Sequence, residues 1–149
     1  MPFTTYAFQA AMRAASVSLL TGYASAASIS LQVYAARPMS IQPPTAFVEA
    51  MTEDTVFTGP TNRQRTVRAE LLVLHGLFDS KEAADQRDAF VDGFADYVTD
   101  HREAAGVATV IAGLSTQDVP VYQPDWGSDQ QRNTVYYGTR ILLEGFASA

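Results

Sequence analysis

Between Arg63 and Val98 the chain changes its hydrophobic period. In RQRTVRAELLVLHG, Val67, Ala69, Leu71 and Val73 alternate with Thr66, Arg68 and Glu70. Alternation at period two puts one set of side chains on each face of a half-buried strand. After LFDS the spacing becomes helical. Ala83, Arg87, Phe90, Val91, Phe94, Tyr97 and Val98 recur every three or four residues and form one stripe,. Ser80 is placed to cap this helix, and Glu82 sits in its first turn, where the helix dipole favours negative charge,. Gly93 lies inside the helix, where glycine costs roughly 1 kcal/mol, so a neighbour that needs close approach is expected there,.

The rest of the chain can be placed around this unit. Phe8, Met12, Ala15, Leu19 and Tyr23 form a stripe that predicts a helix from Thr4 to about Tyr23, ending near Gly22 and the Ala-Ser run,. Ile29, Leu31 and Val33 alternate with serines and Gln32, predicting a short strand. RPMSIQPPT is an extended connection, because its prolines fix φ and remove donors,. Thr45 to Met51 predicts a strand with Ala46, Val48 and Ala50 on one face and Phe47, Glu49 and Met51 on the other. Glu53 to Gln64 reads as a loop with turn residues Gly59, Pro60 and Asn62, in which Val56 and Phe57 either fold back onto the core or meet a partner,. Val107 to Leu114 predicts a strand, and Asp118 to Tyr122 a second one at a sheet edge, since Pro120 cannot donate to a central ladder,. QPDWGSDQQRN is a further loop. Thr134 to Phe146 alternates throughout and predicts the last strand.

The sum is one α+β domain over residues 1–149, with two main helices packed on one face of a mostly antiparallel β-sheet,. Leu72, Leu74, Tyr136, Leu142, Phe47 and Met51 fall opposite the periodic core face. One helical layer does not cover both faces of a sheet. The second face is therefore either covered by loops or met by another subunit.

Composition narrows the function classes. The chain has 149 residues, 47% hydrophobic and 17% charged, which is the profile of a folded domain,. Its formal charge of −6 is the wrong sign for a general DNA binder, whose affinity comes from cations on phosphates,. Without cysteine there are no disulfides, thiolate metal sites or cysteine nucleophiles,. Ala24-Ser25-Ala26 has the form of a signal-peptidase site, but no basic residue precedes the apolar run and Arg13 interrupts it, so a core helix is the expectation,. No apolar run approaches the roughly 20 residues of a membrane span.

A catalytic constellation is not legible. His75 and His101 are the only histidines, and neither has a partner at a recognisable spacing,. No glycine-rich phosphate loop or Gly-x-Ser-x-Gly elbow occurs. Asp118, Asp125 and Asp129 are too spread to read as a calcium loop,. The expectation is a non-enzymatic structural or binding protein without cofactor or metal.

The order and texture of the segments resemble the tail terminator proteins of long-tailed bacteriophages. The resemblance rests on PPTAFVE, TVRAELLVL, ADQRDAFVDGFADYV, VPVYQPDW and NTVYYGTRILLEGF in that order, and covers nearly the whole chain. It implies a virion protein of the tail or neck, assembled in the host cytoplasm. Such a protein forms a homo-oligomeric ring, commonly a hexamer, on the head-proximal end of the tail tube. The ring stops tube polymerisation and joins the tail to the head-tail connector or stopper protein, while genomic DNA passes through the lumen without specific binding. An acidic lumen would then repel phosphate.

Under that resemblance the candidate ring or tube interface is Val56, Phe57, Arg63, Arg65, Leu72, Leu74, Trp126 and Tyr136. Charge reversal at Arg63 or Arg65, or Trp126→Ala, is expected to leave a folded protein that fails to cap tails. Two alternatives stay open: another neck component, and a small-molecule-binding α+β domain or hydrolase subunit, for which an enclosed pocket near His75 would speak.

Overall fold

The computed structural model describes residues 5–39, 42–77, 81–102, 110–122 and 135–148. The chain is an α+β fold with two helices and a five-stranded, mostly antiparallel sheet. In order the elements are α1 (Thr5–Ala26), β1 (Gln32–Tyr34), β2 (Thr45–Phe57), β3 (Arg63–Leu77), α2 (Lys81–Asp100), β4 (Val110–Tyr122) and β5 (Val135–Ser148). The sheet order is β1-β2-β3-β5-β4, with β1 parallel to β2 and every other pair antiparallel.

The alternation in β3 has the predicted outcome. Val67, Ala69, Leu71 and Val73 are buried in one cluster with Ala46 and Val48 of β2 and Ile141 and Leu143 of β5. Met12, Leu19, Leu20 and Tyr23 of α1 and Phe90, Phe94 and Val98 of α2 belong to the same cluster. Burying such side chains is worth roughly 1.5–3 kcal/mol each. Phe47, Leu72 and Leu74 form a separate, smaller cluster with Val119 and Tyr136 packed against it. The face that carries this cluster continues as ion pairs: Arg68 bonds Asp54 at 2.5 Å and Glu144 at 2.9 Å, and Arg140 bonds Glu70 at 2.6 Å.

Four boundaries differ from the sequence reading. The largest concerns Glu53 to Gln64, which is not a loop. Residues 53–57 continue β2, 63 and 64 begin β3, and only 58–62 turn, closed by Thr58 N–H donating to Asn62 O at 3.0 Å. β2 and β3 therefore make one long hairpin, in register from Phe57↔Arg63 to Thr45↔Leu74. Second, the register skips Glu49, so a bulge moves Met51 opposite Ala69 and onto the larger cluster, away from Phe47,. Third, α1 runs past Gly22 to Ala26. Ser28 then takes a left-handed φ of 57°, and Ile29 N–H returns to Ala24 O at 2.8 Å, which ends the helix and shortens β1 to three residues,. Fourth, the two short strands expected between Val107 and Tyr122 are one strand, β4, from Val110; it is a sheet edge, as Pro120 required. Ser80 lies outside the described residues.

The two helices meet through a reciprocal exchange. A Cβ on Gly93 of α2 would overlap the Tyr23 hydroxyl of α1 and stand 2.9 Å from its Cζ and 3.0 Å from its Cε1. A Cβ on Gly22 of α1 would overlap the Tyr97 hydroxyl of α2. Each glycine is the notch that the other helix's tyrosine fills. Tyr23 also meets Phe90 edge-on at 5.2 Å and Phe94 at 5.8 Å, an arrangement aromatic quadrupoles favour.

The two glycines should respond differently. Gly93→Ala must displace the buried Tyr23 ring and is expected to cost about 1–3 kcal/mol in urea unfolding, despite the better helix propensity of alanine. Gly22→Ala meets the end of the half-buried Tyr97 ring, which can swing outward, and should stay within about 1 kcal/mol of wild type. A Gly93→Ala protein as stable as wild type would refute the notch.

Candidate functional site

Two features stand out on the described surface, at opposite ends of the β2–β3 hairpin. One is its tip. Val56 and Phe57 are 58% and 78% exposed, the result of β2 running beyond the ground the hydrophobic cluster covers. The strand continues there because the backbone ladder to β3 satisfies its donors and acceptors, whatever the side chains do,. Arg63 is opposite Phe57 in the register.

The other feature is a cleft of about 480 Å³. The segment that follows α1 forms one wall, with Ile29 and Leu31. The end of β3 forms its floor, with Val73 and His75, and Phe90 of α2 and Tyr23 of α1 close it. The cleft is largely apolar, with a few polar groups among its walls, in the general manner of ligand sites.

His75 is 6% exposed, shares a 3.0 Å hydrogen bond between Nε2 and Thr139 Oγ1, and meets the Phe90 ring edge at 5.4 Å. Burial lowers its pKa to about 4, with the nearby Arg87 charge adding in the same direction,. It is therefore a neutral imidazole at pH 7. The register skips His75, and Gly76 takes the next paired position opposite Tyr137, close to Ala83 of α2. The bulge lets the strand end pass beneath the helix.

The structure sorts the sequence-predicted interface residues into groups. Val56 and Phe57 are together at the tip with Arg63. Arg65 is not a surface charge: it is 1% exposed and its Nη2 bonds Glu53 Oε1 at 2.7 Å, with Nε at 3.1 Å. It shares the face of β3 that carries Val67, because both positions have the same parity. Charge reversal there would destroy a buried pair, contrary to the expectation of a folded variant. Leu72 and Leu74 are 6% and 0% exposed and are buried within the chain, so they are not open surface. Tyr136 packs half-buried against them. Trp126 lies outside the described residues.

Other candidates resolve into structure. Asp118 pairs with Arg87, whose guanidinium lies over the Tyr137 ring at 5.2 Å, so this carboxylate ties the edge strand to α2. Asp125 and Asp129 lie outside the described residues. Among the described residues no group of three or more His, Asp or Glu is placed to hold a metal. His101 stacks on Tyr97 at 3.9 Å, and its Nδ1 is 2.7 Å from Tyr97 O at the end of α2. Sequence reasoning missed the cleft walls and the Glu53–Arg65 pair. The one available signal for the pair was its register: an acid and a base flanking a turn at positions that a hairpin brings together.

Two outcomes follow from these groups. Glu53→Gln removes the carboxylate from a buried guanidinium and should cost about 3 kcal/mol by urea unfolding, whereas an exposed ion pair would cost under about 1 kcal/mol. For His75, the folded pKa lies below the unfolded value of about 6.5. Its contribution to stability is complete above that value, declines as pH falls toward 4, and totals roughly 3 kcal/mol across that window,. Stability measured against pH for wild type and His75→Gln should therefore converge on acidification from pH 7 to 4. Parallel curves would refute a buried neutral imidazole.

The chain matches no known protein-family model, and a search of curated proteins finds no match.

Proposed function

We propose that this protein is a structural subunit of a long-tailed bacteriophage, forming a ring that caps the head-proximal end of the tail tube. The ring ends tube polymerisation and offers a surface to the head-tail connector or stopper protein, and DNA passes through its centre. The observation that carries this reading is the end of the β2–β3 hairpin, where Val56 and Phe57 are exposed beside the turn. A monomer gains nothing from an apolar tip held away from its core, whereas an assembling subunit buries it against a neighbour. The excess of carboxylates over cations also suits a channel that DNA must slide through without sticking,.

A second reading has its own observation. The cleft beside His75 has the volume and apolar lining of a small-molecule site, which favours a ligand-binding α+β domain,. Native mass and electron micrographs of the purified protein, alone and mixed with tail tubes, separate the two. Rings on one end of each tube and arrested tube growth are expected. A monomer that leaves tube growth unchanged would overturn the structural reading in favour of the ligand-binding one. Arg63→Glu at the base of the tip should remain folded by circular dichroism and cap tubes less well. Unimpaired capping by this variant would remove the tip from the interface.

A further inference from the structure

We infer that the hairpin tip of one copy, led by Phe57, inserts into the His75 cleft of the next copy, so that identical subunits join head to tail. The inference rests on the ring reading above and names the contact that would build it.

Four observations carry it. The donor is an aromatic side chain, 78% exposed on a hairpin. The acceptor is an apolar cleft of about 480 Å³ with Tyr23, Phe90 and His75 already in edge contact, so a further ring extends an existing aromatic cluster,. Phe57 shares the face of the hairpin that carries Val67 and Val73, and Val73 lines the cleft, so donor and acceptor lie on the same side of the sheet.

The fourth observation is distance. Pro44 lines the cleft next to the first residue of β2, and Phe57 is the last residue of that strand. Thirteen residues of strand separate the two ends by about 40 Å,. The hairpin is paired along its length apart from the bulge at Glu49, so the tip cannot fold back into the cleft of its own chain. A second copy of the chain is therefore the occupant that the two surfaces fit. Because donor and acceptor are different patches, the contact is heterologous, and repeating it closes a ring or propagates a filament.

Two variants separate donor from acceptor. Phe57→Asp spoils the tip and leaves the cleft intact. Ala89→Trp fills the cleft from an exposed position on α2 and leaves the tip intact. Circular dichroism melts check that both are folded, and Ser30→Arg serves as a second cleft block if Ala89→Trp melts early. Sedimentation velocity and native mass spectrometry at micromolar to high micromolar concentration give the readout. Wild type is expected to form closed rings, and each variant alone to be monomeric. The mixture of the two is expected to form a one-to-one heterodimer and nothing larger, because one tip and one cleft remain between them. Rings formed normally by Phe57→Asp, or by the cleft-blocked variant, overturn this contact and leave the ring reading standing. Monomeric variants that give no heterodimer on mixing overturn it as well. Wild type that stays monomeric both alone and on tail tubes overturns the ring reading and this contact together.

Discussion

β3 is hydrogen-bonded along both edges, to β2 from Arg63 to Leu74 and to β5 from Gln64 to Leu77. β5 is paired over a similar length on both sides, and β3 is the strand that joins it to β2. The alternation in β3 therefore decides which residues of three strands share a face. Val67, Ala69, Leu71 and Val73 bring Ala46 and Val48 from one neighbour and Ile141 and Leu143 from the other into the same layer. Residues of the aromatic stripe of α2 and of the apolar stripe of α1 are buried in that same cluster. A one-residue slip in β3 would exchange that face for Arg68, Glu70 and their ion partners.

The two helices fix one another as well as the sheet. Tyr23 and Tyr97 each occupy space that the opposite helix leaves empty at a glycine. This sets how closely the helices approach, and thereby the width of the cleft that opens where α1 ends. Ser28, in its left-handed conformation, turns the chain out of the helix and lays Ile29 and Leu31 along the cleft. The cleft is thus a consequence of how α1 stops. His75 at its floor is neutral because the same packing removes it from water.

The far end of the hairpin shows a different balance of forces. Near Thr45 it is buried on both sides, with Val48 in one cluster and Phe47 in the other. Toward Phe57 it is held by backbone pairing and by the Glu53–Arg65 pair. The central ion pairs of the opposite face, Asp54–Arg68–Glu144 and Glu70–Arg140, keep that stretch polar. Charged side chains there discourage unspecific sheet stacking, which leaves the apolar tip as a local feature.

The sequence by itself determined the elements whose burial is periodic. The alternations in β3 and β5, the stripes of both helices, the edge position of Pro120 and the α+β class could all be read from spacing, because a buried face imposes its period on the chain. The close approach at Gly93 could also be anticipated, since a helix tolerates that residue only at a cost. What lies outside the core leaves no such period. TEDTVF at the end of β2 looks like a loop because ladder hydrogen bonds, which any residue can make, hold it in the sheet. The bulge at Glu49 reversed the face of Met51, and no side-chain pattern announces a bulge. Arg65 looked like surface and is buried, because its partner Glu53 is brought beside it only by the hairpin register. The cleft at His75 depends on how three separate elements end near one another. These features are set by contacts between distant residues, and only the tertiary structure decides which distant residues meet.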